Sequence, residues 1–220
     1  MLHRVRSDPS AILLLTQLAG LLLYPFTQTS GVGQALFSVF GIVILGLVLL
    51  AVRSTPALTW VAVVLGVPAT VLLLVQAAQG GNDDLQPYTS ALEAILYFYA
   101  AGALITYMLA DHEITRDELF AVGATFTLVA WAFAYVYTVC QAVEPGSFTA
   151  AVHPDAARTW MELLFLSFTT LSSTGLSDVV PIEPFARGLV MLEMLAGLGY
   201  VAMVVSRLVG MLVMRHADDA

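Results

Sequence analysis

The sequence predicts an all-α integral membrane protein with six transmembrane helices and a re-entrant segment between the fifth and sixth. Three observations carry this. The 220 residues are 59% hydrophobic and 11% charged, with a mean hydropathy of +0.87, which groups the chain with membrane proteins rather than soluble domains. Its long apolar runs lack the polar face that a soluble amphipathic helix keeps. Between the last two runs lies a short helix-forming stretch followed by a polar strip.

The first apolar run covers about 11–26, behind Arg4 and Arg6. It outruns the usual apolar core of a signal peptide and no small-x-small cleavage site follows it, so an uncleaved anchor is expected. Further runs fall at about 34–52, 58–78 and 88–110, each long enough for a span. The fifth, about 118–142, is opened by Thr115 and Glu118 in the T-x-x-E capping-box pattern. The last, about 184–214, starts at Pro184, where a first helical turn accepts proline. Only residues 215–220 follow it, so gating is expected to act through the membrane helices, the short loops or a separate partner.

The stretch TWMELLFLSFTTLSSTGLSDVVP, residues 159–181, organises the rest. Thr159 and Glu162 repeat the capping box, and the helix expected over about 160–172 is roughly 20 Å long against an apolar bilayer core of about 30 Å. The residues Ser172, Ser173, Thr174, Gly175, Leu176, Ser177 and Asp178 then form a strip that cannot be helical throughout. Irregular polar backbone at membrane depth is tolerated only where it lines a wet cavity enclosed by protein. That is the layout of a selectivity filter.

Arginine placement tests the span count, because short cytoplasmic loops collect basic residues. With both termini cytoplasmic, Arg4, Arg6, Arg53, Arg116, Arg207 and Arg215 fall inside, and only Arg158 and Arg187 outside. The outer side collects Asp83, Asp84, Glu144, Asp155, Asp178 and Glu183, with Glu162 at the start of the short helix. An acidic vestibule concentrates cations; for Asp83 and Asp84 a merely solvated loop is the simpler reading. All eight basic residues are Arg and the net charge is −8, which leaves no basic patch for nucleic acid. The single cysteine, Cys140, allows no intramolecular disulfide or thiolate metal site and reads as a small buried residue.

The segment SFTTLSSTGLSDVVP, residues 167–181, resembles the pore-loop signature of potassium channels, S-F-x-T-L-T-T-V-G-Y-G-D-x-x-P. The stretch PFARGLVMLEMLAGLGYVAMVVSRLVGM looks like the inner helix of bacterial potassium-channel-like proteins, and ITRDELFAVGATFTLVAWAFAYVYTVCQAVEPGSF is similar to their outer helix and turret. The specific resemblance covers about 112–213; the first four spans match only in number and hydrophobicity.

The resemblance implies a homotetramer in a lipid bilayer, the plasma membrane of a prokaryote. Four pore loops would surround one axis, with backbone carbonyls replacing the hydration shell of a monovalent cation. Residues 1–110 then form a four-helix domain at the voltage-sensor position and 111–220 the pore domain. Ser173, Thr174, Gly175, Leu176 and Ser177 stand where the family has Thr-Val-Gly-Tyr-Gly, and Asp178 where its Asp follows the filter, with Glu183 beside it at the mouth. Thr169 and Thr170 end the pore helix, whose dipole would favour a cation in the cavity beyond. Potassium or sodium is the only ligand expected, with no cofactor and no resident metal. Leu176 lacks the hydroxyl with which the family's Tyr braces the filter, and Ser177 replaces a glycine that relies on positive φ. A serine held there would store strain, so the outer filter is expected to take another conformation with weaker potassium selectivity.

The fourth run contains no Arg or Lys and supplies no conventional gating charge. Its Glu93 reads as an interfacial carboxylate near the outer end, ahead of a proton sensor. Glu193, mid-way along the last run, either bonds hydroxyls behind the filter or acts on permeating ions directly. Gly197 and Gly199 form an inner-helix hinge or allow close packing. The four His, at 3, 112, 153 and 216, are scattered as solvated residues are, and His153 in the turret is the one placed to sense external pH.

A tetrameric cation channel is therefore expected. A secondary transporter also uses interrupted helices, but within paired repeats that the sequence lacks. A non-conducting scaffold or channel-modifying subunit is kept open by the altered filter. No paired carboxylates, Ser-His pair or metal cluster points to an enzyme.

Overall fold

The computed structural model describes residues 9–27, 31–53, 57–78, 83–110 and 115–218. Arg4, Arg6, His3 and His112 lie outside the described residues, as do the side chains of Arg53, Asp83, Arg215 and His216. The helices are α1 (Pro9–Thr27), α2 (Gly31–Arg53), α3 (Thr59–Ala78), α4 (Gln86–Met108), α5 (Arg116–Val143), α6 (Trp160–Leu171) and α7 (Pro184–Asp218). Every apolar run is helical, with ends within a few residues of those expected. Among the described residues, Thr59–Gln76, Gln86–Met108, Arg116–Val143 and Pro184–Arg207 are long and apolar enough to cross a membrane; Pro9–Tyr24, Gly41–Val52 and Trp160–Leu171 are shorter apolar stretches.

Both capping boxes form. Thr115 Oγ1 accepts from the Glu118 amide at 3.2 Å and Glu118 Oε2 accepts from the Thr115 amide at 3.3 Å. At α6, Thr159 Oγ1 accepts from the Glu162 amide at 3.3 Å while Glu162 Oε2 accepts from the Thr159 amide at 2.6 Å. Each box satisfies two N-terminal amides that the helix leaves without partners, and each carboxylate sits at the positive end of the helix dipole.

A short β-ribbon adds to the helices that the sequence predicts. Strands β1 (Phe148–Ala150) and β2 (Val179–Pro181) pair antiparallel, with Phe148 opposite Pro181, Thr149 opposite Val180 and Ala150 opposite Val179. Three residues are too few to show period-2 alternation in sequence, and the partners lie some thirty residues apart, so only tertiary proximity reveals them.

A continuous apolar core runs through α1 to α7, through Leu13, Val48, Ala62, Leu104, Leu128, Trp131, Leu164 and Tyr200. A second cluster, around Tyr137, Phe148, Leu163, Val179 and Ala186, underlies the ribbon. Helices α4 and α5 form the most extensive helix pair. Helix α1 runs parallel to α5: the Ser10 amide and hydroxyl donate to the two Asp117 carboxylate oxygens at 2.9 Å each, and Leu14 packs on Gly123. Helix α7 runs antiparallel to α5, with Arg207 Nη2 3.2 Å from Glu118 Oε1 and the Tyr200 hydroxyl donating to the Val122 carbonyl at 2.6 Å. The start of α6 is held by aromatic rings, Trp160 lying 5.4 Å from Trp131, 5.6 Å from Tyr135 and 5.7 Å from Tyr24 between centroids.

Candidate functional site

Helix α6 ends in a Schellman turn. The Ser173 amide donates to the Thr170 carbonyl at 3.0 Å and the Thr174 amide to the Thr169 carbonyl at 2.9 Å, with Ser173 in the left-handed region at φ 59. That position usually falls to glycine. Serine there costs about 1 kcal/mol. The Gly175 amide, at φ 65, adds a further bond to the Thr169 carbonyl at 3.1 Å.

These bonds orient the strip. In a trans peptide the C=O points opposite to the N–H, and no cis peptide occurs among the described residues. With the amides of Ser173, Thr174 and Gly175 turned to the end of α6, the carbonyls of Ser172, Ser173 and Thr174 point away from it. Among the described residues none donates a hydrogen bond to those three oxygens. Residues 172–176 are all exposed in the single chain.

The strip's far end is tied down by the ribbon and by the Ile182 amide, which donates to the Ser147 carbonyl at 2.9 Å. Ser177 is not in the left-handed region. No positive-φ strain is held at Ser177, and positive φ falls instead at Ser173, where the Schellman turn needs it. The Ser177 hydroxyl accepts from the Val179 amide at 3.1 Å. Leu176 is 77% exposed and braces nothing within the chain. Asp178 is exposed and Glu183 half-buried. Thr169 and Thr170 are buried; the Thr169 hydroxyl turns back to the Leu166 carbonyl at 2.9 Å, and both main-chain carbonyls serve the strip.

Along α7 the buried positions Ala186, Val190, Glu193, Gly197 and Tyr200 recur every three or four residues, a seam facing α5 and α6. Glu193 is fully buried in it. Its Oε2 accepts from the Tyr137 hydroxyl of α5, and its Oε1 is hydrogen-bonded to the Ser167 hydroxyl of α6. The carboxyl thus sits among hydroxyls where three helices meet, the first of its two expected settings. At Gly197 a Cβ would lie 2.1 Å from the Leu171 carbonyl oxygen, so this glycine permits close packing; Gly199 has nothing within 4 Å of such an atom.

Glu93 departs from the interfacial expectation. It is 3% exposed, buried on the face of α4 that also carries Tyr97, whose ring packs on Tyr135 of α5. The buried stripe of α4 through Thr89, Glu93, Leu96, Ala100 and Leu104 carries it inward. Arg158 is a residue whose role the sequence reading missed: it is 5% exposed, and its guanidinium gathers the carbonyls of Val152, His153 and Ala156 while reaching Glu162. Gln141 grips its backbone on both sides, at 3.0 and 2.7 Å. The i, i+4 spacing of Arg158 and Glu162 beside a capping box was the available signal. His153, exposed at φ 51, belongs to this loop, and Cys140 is buried near the end of α5.

The family described as "Ion channel" matches residues 94–214, more than half of the 220, from within α4 through most of α7. No curated protein and no solved structure matches significantly. The match bears out, at the level of the family, the resemblance carried by SFTTLSSTGLSDVVP, and with the membrane-length apolar helices it makes this an integral membrane protein of ion transport. The chain belongs to the ion-channel family.

Proposed function

We propose that four copies of the chain form a channel for monovalent cations, potassium or a poorly discriminated mixture of potassium and sodium, through a filter lined by the backbone of the strip after α6. The observation that carries this is the run of three carbonyls at Ser172, Ser173 and Thr174, turned away from the helix end and without donors among the described residues. Unpaired carbonyl oxygens in an apolar surrounding cost several kcal/mol unless something replaces water. A dehydrating cation does so, and equivalent strips from other copies complete its shell. Exposure of residues 172–176 in one chain fits a surface that further copies cover. Asp178 and Glu183 add negative charge at the mouth, and the permeant ion is the only ligand this reading needs.

The packing supports six spans with α6 re-entrant. Helices α1 and α5 start at the same end of the molecule and α7 finishes there, so an odd number of crossings must separate the end of α1 from the start of α5; α2, α3 and α4 provide three. At 1.5 Å per residue the 19 residues of α1 and 23 of α2 measure roughly 28 and 34 Å, near the thickness of the apolar core. The 12 residues of α6 reach only about 18 Å. Both termini then lie on the side that collects most arginines.

Purified protein in planar bilayers, with opposed potassium and sodium gradients, tests conduction and selectivity together. A cation current with a measurable reversal potential is expected. Absence of current, or a monomer or dimer in place of the tetramer, overturns the reading and favours a channel-modifying or scaffolding subunit.

A further inference from the structure

We propose that Glu193, carrying its own proton, is the positioning residue that sets α6 against α7 and thereby the geometry of the carbonyls beyond Thr170. This deepens the filter reading above and rests on it.

The proton follows from counting hydrogens. The Ser167 hydroxyl lies 2.7 Å from the Ala130 carbonyl oxygen and also within hydrogen-bond reach of Glu193 Oε1. A hydroxyl has one hydrogen and a carbonyl has none to give. Ser167 donates to Ala130, so the hydrogen in the other contact comes from the carboxyl. Tyr137 supplies the third hydrogen, to Oε2. Giving each of the three contacts its own hydrogen requires a neutral acid, which donates to α6 and accepts from α5. A neutral group also avoids placing a bare charge in a seam otherwise made of Ala186, Val190, Gly197 and Tyr200.

The placement explains why this contact bears on the strip. Ser167 stands one turn before the Schellman end of α6, and Gly197 meets Leu171 one turn further along the same seam. Together they determine how far α6 reaches. Leu176, exposed and without a hydroxyl, contributes no brace of its own within the chain, so the carbonyls at 172–174 depend on the position of the helix end. Glu193 supports them from behind, through Ser167, without touching an ion.

The test uses the full chain in bilayers under opposed potassium and sodium gradients. Glu193→Gln keeps a donor for Ser167 and an acceptor for Tyr137, and is expected to retain the wild-type permeability ratio. Glu193→Ala and Tyr137→Phe each remove part of the network and are expected to shift that ratio by about two- to tenfold, the factor that one net hydrogen bond corresponds to. Tyr137→Phe removes a single oxygen, so it serves if the alanine variant fails to assemble. Infrared difference spectra, wild type minus Glu193→Gln, should show the carbonyl stretch of a protonated carboxyl. If the glutamine variant shifts as the alanine one does, or that band is missing, the acid is not neutral and the proposal falls. Wild-type ratios in both Glu193→Ala and Tyr137→Phe overturn the positioning role while leaving the filter reading intact. A wild-type protein that carries no cation current overturns the filter reading itself, and this inference with it.

Discussion

Gly197 of α7 and Leu171 of α6 approach so closely that a Cβ on the glycine would lie 2.1 Å from the leucine's carbonyl oxygen. Backbone meets backbone here, so neither side can yield by a rotamer change. Gly197→Ala is expected to destabilise the chain by about 1–3 kcal/mol, the usual range for overpacking. Gly199→Ala, with open space at that position in the chain, should leave the chain's own packing unchanged. Thermal unfolding of the two detergent-solubilised variants compares them directly; equal midpoints would show that the contact is looser than described.

Gly175 sits at φ 65, and a Cβ added to it would meet nothing within 4 Å, so the constraint on it is conformational. Alanine at that φ costs about 1 kcal/mol and favours a different backbone, which would move the Thr174 carbonyl. Gly175→Ala should abolish or grossly alter the current while tetramers still assemble. Unchanged conductance and selectivity in bilayers would remove the strip from the permeation path.

Voltage dependence should be weak or absent. Each charge crossing the field contributes about 2.3 kcal/mol per 100 mV, and steep opening needs several. Helix α4 has no Arg or Lys, and its one acid, Glu93, is buried. A steep conductance–voltage curve that survives Glu93→Gln would reveal a sensor elsewhere.

Leu176→Tyr with Ser177→Gly restores the residues that the resembling family carries at those positions. A tyrosine hydroxyl could reach surrounding polar groups, and glycine would free the backbone after it for positive φ. The double variant should raise the potassium-to-sodium permeability ratio, read from bi-ionic reversal potentials. A lowered ratio, or strict potassium selectivity in the unmodified protein, contradicts the idea that these positions loosen the outer strip.

Much of the fold was legible because its causes are local. Uninterrupted apolar runs can only be helices in a bilayer, and T-x-x-E at Thr115 and Thr159 marks where two of them begin, since the capping bonds span three residues. The strip was legible for a similar reason: hydroxyl residues and one glycine after a helix too short to cross a membrane leave few alternatives. Where a side chain's setting depends on a partner far along the chain, the reading failed or stayed open. Glu93 was expected at the interface because its distance from the helix start is local, whereas its burial depends on how α4 packs against helices far along the chain.

By itself, then, the sequence determined the membrane class, the helices and their order, the two capping boxes and the family motif, all set by hydropathy and by contacts within a few residues. Tertiary structure alone decided the β1–β2 ribbon, the enclosure of Glu193 by Tyr137 and Ser167, and the role of Gly197. The physical reason is the same in each case. A buried hydrogen bond or a backbone contact is satisfied by whichever group the packing brings within about 3 Å, and no local pattern records which group that is.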